Sequence, residues 1–340
     1  MSQRSQRKEE HLALAKMFFN KKIPSDFDNI HLIRPALPES KYEANSIHSQ
    51  LFGKKISAPI YINAMTGGAK KSLIINKTLG QASAKTNIPM ALGSASILEK
   101  EPEQLKSFYI ARQENPDGLL FANINPNTTP KAAQTIVKEL EANALQIHLN
   151  TIQEAAMPEG DRNFYWLDNI KAIHEIIEVP IIIKEVGQGL DKDTILRLHK
   201  AGFKYFDLGG SGGTDFAKIE NSRRNNDNLS FLEEINISTT KALLWLNDSK
   251  FITKLFASGG IRNSLDIFKT LVLGADYVGL ASHFLESAYQ GTDALVEEIE
   301  NIKNQLVMLT ALFGLENISD AQQIKYYLDT NLLTFKNQMK

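Results

Sequence analysis

The chain has 340 residues, with 38 Lys plus Arg against 39 Asp plus Glu and a formal charge of -1. That balance gives no field to make nucleic acid or an anionic membrane the main partner, so any bound anion must be held locally. There is no cysteine, which excludes disulfides, thiolate metal sites and cysteine nucleophiles.

The first twenty residues, "MSQRSQRKEEHLALAKMFFN", carry charge where a signal peptide needs an apolar core, and no apolar run elsewhere is long enough to span a bilayer. A cytoplasmic protein is expected. A helical start, "SQRKEEHLALAKMFF", leads into an irregular stretch with Pro24, Pro35 and Pro38. Residues 1–58 therefore read as an extension, either a cap beneath the following domain or a subunit contact. From residue 59, short apolar runs ending in Gly, Ser, Asn or Thr recur at about one βα unit, roughly 30 residues. They are "PIYINA" (59–64), "PMALGS" (89–94), "GLLFAN" (118–123), "ALQIHLN" (144–150), "PIIIKEVG" (180–187), "KYFDLGG" (204–210), "KLFASGG" (254–260) and "DYVGLAS" (276–282). Near-continuous apolarity is the signature of parallel strands covered on both faces, and helical patterns such as "PKAAQTIVKELEAN" lie between them. Eight such units without a composition break predict a single α/β domain over 59–340, a (β/α)₈ TIM barrel with an N-terminal extension. No dinucleotide or P-loop fingerprint supports a doubly wound sheet. The segment 215–250 is longer than a plain connection and reads as a mobile insertion on the active face. "DALVEEIENIKNQLVMLTALFGL" reads as the last barrel helix.

In this fold the catalytic face is built from whatever follows each strand. Here the strand ends carry small residues and amides: Met65 and Thr66, Ser94, Asn123, His148 to Glu154, Lys184, Gly209 to Thr214, Gly259 and Gly260 with Arg262, and Ala281 with Ser282. Glycine lets backbone N–H groups approach a ligand, and the turns after strands six and seven lead to where such barrels hold phosphate. "SGGIRNSLDIFKTL" adds an arginine and opens a helix whose N-terminus favours anions. Lys184, in the most apolar strand, either neutralises a bound anion, forms a Schiff base or pairs with Glu185. "HLNTIQEAAMPEGDRNF" offers His148, Asn150 and Gln153 as neutral hydrogen-bonding groups, then the charge of Glu154.

Taken in order, "RKEEHL", "NAMTGG", "GS" after strand two, "ANIN", the His148 stretch, "KEVG", "GGSGGT" and "SGGIR" resemble the type 2 isopentenyl-diphosphate isomerases over nearly the whole chain. The resemblance implies FMN, Mg²⁺ and NADPH as reductant, with the reduced flavin as acid–base partner in moving a double bond. It implies flavin contacts at Ala64, Met65, Thr66, Ser94, Asn123 and Lys184, and a phosphate cradle at Ser211, Thr214, Gly259, Gly260, Arg262, Ala281 and Ser282. Arg7, Lys8, His11, Ser94, Asn150 and Gln153 would take an allylic or homoallylic diphosphate, Gln153 and His148 would serve catalysis, and Glu154 would hold the metal. A homo-oligomer, tetramer or octamer, is implied as well.

Two positions depart from the family pattern. Ala95-Ser96 stand where many members have Gln-Arg, removing a cation near the diphosphate, and "INISTT" (235–240) replaces an aromatic-bearing stretch. Two other readings accompany the isomerase: an oxidase of the α-hydroxy acid type, and a flavin-binding barrel without activity. The oxidase reading lacks the histidine expected after strand six, where the chain reads "DLGGSGGTDF".

Overall fold

The computed structural model describes residues 3–18, 24–224, 228–246 and 254–339. Eight parallel strands close into a barrel in chain order: β1 (Ile60–Ile62), β2 (Met90–Ala91), β3 (Leu120–Ile124), β4 (Ala144–Leu149), β5 (Ile181–Glu185), β6 (Tyr205–Asp207), β7 (Lys254–Ser258) and β8 (Tyr277–Leu280). Seven lie within the apolar runs and β3 reaches one residue past its own. The register sets His148 beside Lys184, and Lys184 beside Asp207.

Helix α1 (Gln3–Phe18) precedes the barrel. The strands alternate with α2 (Lys70–Thr86), α3 (Lys106–Glu114), α4 (Pro130–Glu139), the short α5 (Thr151–Ala156) with α6 (Leu167–Ile176), and α7 (Lys192–Lys200). Then follow α8 (Phe216–Ser222) and α9 (Thr239–Leu246) after β6, α10 (Ser264–Val272) after β7, and α11 (Ser282–Gln290) with α12 (Thr292–Leu312) after β8. The chain ends in α13 (Thr330–Gln338). Side-chain caps start several of them: Thr129 before Pro130, Asp191 before α7, Asp215 before α8 and Asn263 before α10 each accept a backbone N–H of the first turn. The centre of "NSRRNNDN", residues 225–227, lies outside the described residues.

The lower barrel is filled by Tyr61, Phe121, Ile182 and Phe256, none of them exposed. The described residues of the extension, 3–18 and 24–58, divide between the two ends of the barrel. A hairpin of Ser49–Leu51 and Lys54–Ile56 closes the bottom, its tip Phe52 packing edge-on against Phe121 and Tyr205 at 5.8 and 5.2 Å. α1 lies at the opposite end, against α8 and α11. The strand Ile30–Leu32 pairs antiparallel with Tyr326–Leu328, so the extension and the chain's last segment brace each other. Among the described residues no helix is long and apolar enough to cross a membrane.

Candidate active site

The C-terminal ends of the strands surround a cavity of ≈ 510 Å³. Its wall at β1 and β2 is a closed network. Thr66 O accepts from Gly93 N at 3.1 Å, while Thr66 Oγ1 shares a hydrogen bond with Ser72 Oγ at 2.7 Å. This holds Ala64, Met65, Thr66 and Ser94 along one side of the cavity.

Opposite them, the turns after β5, β6 and β7 pack backbone on backbone. A Cβ on Gly259, where φ is +96°, would lie 1.8 Å from Gly210 O, so no side chain fits between the two turns. The cavity at this end is lined by Gly212, Gly213, Gly259 and Gly260, with Thr214 Oγ1 and Ser282 Oγ 2.6 Å apart closing the ring. Three places here differ from expectation. The N-terminus of α10 is already occupied, since Asn263 accepts from Asp266 N and the Asp266 carboxylate takes Arg262 N and Nε at 3.1 and 2.8 Å. A helix N-terminus without a side-chain cap does face the cavity beside the cradle, that of α11, which follows Ala281. Arg262 lines the rim, but its guanidinium is held by Asp266 and Asp28, whose carboxyl it keeps down at about 2. Ser211 lies outside the lining; its N–H donates to Ile237 O at 3.0 Å.

Lys184 is only 4% exposed and its Nζ donates to Glu185 O at 2.8 Å. The expected alternative of a Lys184–Glu185 salt bridge does not form. Glu185 Oε2 instead accepts the backbone N–H groups of Val186, Gly187, Gln188 and Gly189 at 2.6, 2.7, 2.6 and 3.0 Å. Next to Lys184, His148 Nδ1 is 2.7 Å from Asn123 Oδ1, and Asn123 Nδ2 donates to Gln146 Oε1 at 3.0 Å. Because the Asn123 amide gives its N–H to Gln146, its oxygen accepts from His148 Nδ1–H. Burial, then the Lys184 and Lys8 charges, push the His148 imidazole down to about 3, so at neutral pH it is uncharged.

The β4 end builds the remaining wall. Asn150 Nδ2 donates to Gln153 Oε1 at 3.2 Å and to Glu154 Oε1 at 3.0 Å, and Glu154 Oε2 accepts from Asp161 N at 2.8 Å. Gln153 Nε2 donates to Glu220 Oε1 at 3.2 Å, and His11 Nε2 lies 2.9 Å from the same oxygen. Arg223 joins Glu220 to Glu10 and Glu159, each of the latter at 3.1 Å. Burial would push the fully buried Glu220 carboxyl up, but His11 and Arg223 more than offset it and hold it below the usual range. α1 completes the mouth with Arg7 on Glu159 at 3.2 Å and Lys8 on Ser94 O at 2.7 Å.

Ser211 apart, every site residue expected from the sequence therefore lines this one cavity. Sequence reasoning missed Glu220 and Glu159. Neither sits at a strand end, and nothing in "FAKIENS" or "PEGD" marks a carboxylate folded back onto α1.

The glycine cradle, closed at a distance no Cβ permits, is chemically suited to a phosphate-bearing flavin. For a metal, Glu154 stands without two further carboxylate or imidazole ligands; among the described residues no group of three such side chains gathers. That donor set fits magnesium shared with substrate phosphates rather than a protein cage.

The profile of the FMN-dependent dehydrogenase family matches residues 120–327. The chain is also similar to two solved structures of mandelate oxidase, at 14 and 15% identity, each with TM-score 0.64 and covering 94% of this chain and 90 or 91% of the other. These show the same barrel. The class is thus an FMN-binding (β/α)₈ barrel. An isopentenyl-diphosphate delta-isomerase of Limosilactobacillus reuteri is 40% identical over 99% of this chain and 98% of its own, and one of Staphylococcus haemolyticus 37% identical over 99% and 97%. The chain belongs to the type 2 isopentenyl-diphosphate delta-isomerase family.

The buried neutral His148 has a consequence for stability. Its folded value, about 3, lies below the ordinary 6.5, so the unfolded chain takes up a proton first as pH falls. The contribution of the neutral imidazole is complete above about 6.5 and is lost as pH drops toward 3. In urea unfolding of the apoprotein between pH 7.5 and 5, the wild type should lose stability more steeply than His148→Gln, by at most about 1.4 kcal/mol per pH unit. Parallel profiles would show that His148 is not held neutral.

Proposed function

We propose that the protein converts isopentenyl diphosphate into dimethylallyl diphosphate. The observation that carries this reading is the convergence, in one cavity, of a glycine phosphate cradle, a buried lysine, neutral amides and the Glu154 carboxylate. Membership of the family supplies the substrate. Bound in its reduced state, FMN supplies acid–base chemistry beside the alkene.

The chain's own groups divide the remaining work. Lys184 would offer positive charge to the bound flavin ring. His148, neutral and braced by Asn123, offers a hydrogen-bonding edge without a net charge that would compete for the diphosphate. Gln153 has both ends of its amide engaged, by Asn150 and Glu220, so it presents one fixed face to the hydrocarbon and orients the proton being moved. Arg7 and Lys8 would take the diphosphate, and Glu154 would hold an Mg²⁺ that offsets its charge. Arg223 cannot replace the arginine missing at 95–96, because three carboxylates already hold it. NADPH serves as reductant. The exposed Tyr165 and Phe231, at 96% and 60%, support assembly as a homo-oligomer. The oxidase reading has the shared barrel and the dehydrogenase profile in its favour, but no histidine follows β6 before α8.

The direct test is anaerobic incubation of the purified protein with isopentenyl diphosphate, FMN, Mg²⁺ and NADPH, in which dimethylallyl diphosphate is expected to accumulate. If the flavin binds but no isomer forms, the reading is wrong.

Glu154→Gln retains size and hydrogen bonding but removes the charge a hard cation needs. Its expected effect is a higher Mg²⁺ requirement for turnover with FMN still bound, checked by titrating the metal at fixed substrate.

Gln153→Ala is expected to lower kcat by about 10² or more, the scale for losing a positioned proton-transfer group, with little change in FMN affinity. Wild-type turnover in that variant would leave Gln153 as lining only.

A further inference from the structure

Beneath the cavity floor lies a carboxylate for which the reaction above has no use. Asp207, at the end of β6, is 0% exposed. Its Oδ2 accepts from Tyr61 OH at 2.6 Å, and its Oδ1 from Ser258 Oγ at 2.8 Å and Gly209 N at 3.3 Å. Burial, followed by the Asp207 charge, pushes the Tyr61 phenol well above its ordinary value, so the phenol keeps its proton and donates it. All three donors are neutral. Tyr61 itself is sealed from the cavity by Gly279, where a Cβ would lie 2.4 Å from Tyr61 Cζ. Gly209, Ser258 and Gly279 all line the cavity, so the carboxylate sits one layer below its floor.

Lys184 is the register partner of Asp207 on the neighbouring strand. Both side chains point into the barrel: Lys184 lines the cavity, and Asp207 reaches across to Tyr61 on β1, a strand that does not adjoin β6. The Lys184 ammonium is hydrogen-bonded to a main-chain oxygen, and the Glu185 carboxylate is turned away into its own loop. A buried cation and a buried anion therefore stand on adjacent strands, each hydrogen-bonded to neutral groups. Burying either charge alone is costly, and each lowers that cost for the other.

We propose that Asp207 is the counter-charge of Lys184 and, by offsetting the lysine's field, a determinant of the reduction potential of the flavin bound above it. This rests on the flavin reading of the cavity. A carboxylate serving only to clamp the Gly209 and Ser258 turns would matter for stability but not for potential.

Asp207→Asn separates the two roles, since it keeps an acceptor of the same shape and removes the charge. With the FMN-loaded protein and a reference-dye titration, Asp207→Asn is expected to raise the midpoint potential. The expected size is reduced FMN bound about tenfold or more tighter relative to oxidised, which is about 30 mV for a two-electron couple. Lys184→Ala should move the potential the other way, and the double variant should return toward the wild type. Should Asp207→Asn fail to fold, Asp207→Ser also removes the charge while keeping a hydrogen-bonding oxygen, and the same rise is expected. A potential unmoved or lowered by Asp207→Asn, or by Asp207→Ser where that variant stands in, overturns the inference. If Lys184→Ala lowers the potential in that same experiment, the flavin reading survives. Failure of the wild type to bind FMN overturns both.

Discussion

An ammonium group buried at the end of an apolar strand governs the chemistry of this barrel's mouth. Lys184 cannot be neutralised by its sequence neighbour, because the Glu185 carboxylate is consumed by four backbone N–H groups of its own loop. The positive field it leaves in the cavity has two effects. It disfavours a second positive charge nearby, which is part of why His148 stays neutral. It also makes the cavity a host for a ligand that gains negative charge, as a reduced flavin does. The neighbouring side chains follow that logic: Asn123, Gln146, Asn150 and Gln153 form hydrogen bonds without adding charge.

That field acts on a ligand only if the ligand is brought close, and the nested turns do this. Gly210 and Gly259 approach so tightly that even alanine is excluded between them. The gain is that glycine backbone and the start of α11, which has no side-chain cap, line one end of the cavity. Side chains would have supplied charge there at a cost in space. The single arginine in the vicinity is instead braced between Asp28 and Asp266, tying the N-terminal extension to the back of the cradle.

The sequence carries the barrel plainly, because parallel strands covered on both faces leave continuous apolar runs, and all eight correspond to strands. Most of the site was legible for a related reason: a residue at a strand's end has one place to go in this fold. Legibility stops where a group acts by folding back from elsewhere. Glu220 lies mid-helix in α8 and meets His11 and Gln153 only after two connections have docked. Asp207 reads as a strand residue, and its meeting with Tyr61 across the barrel depends on closure, which no local pattern encodes. The helix opened by Asn263 misled for the opposite reason, since its own cap and Asp266 satisfy the N-terminus that a ligand was expected to use.

The altered corner at Ser94-Ala95-Ser96 shows how the extension and the barrel share one task. Ser96 Oγ accepts from Asn125 N and Thr128 Oγ1, at 2.8 and 2.9 Å, so this position now fastens the β2 loop to the β3 loop. Positive charge beside the loop comes from α1, whose Lys8 bonds Ser94 O and whose Arg7 rests on Glu159. Those two cations reach the cavity only while α1 is docked. The docking includes the ion pairs of Glu10 with Arg223 and Glu9 with Lys71, and sets His11 Nε2 2.9 Å from Glu220. Glu220 also orients Gln153, so one carboxylate couples the seating of the helix that brings the cations to the orientation of the amide beside the reacting carbons.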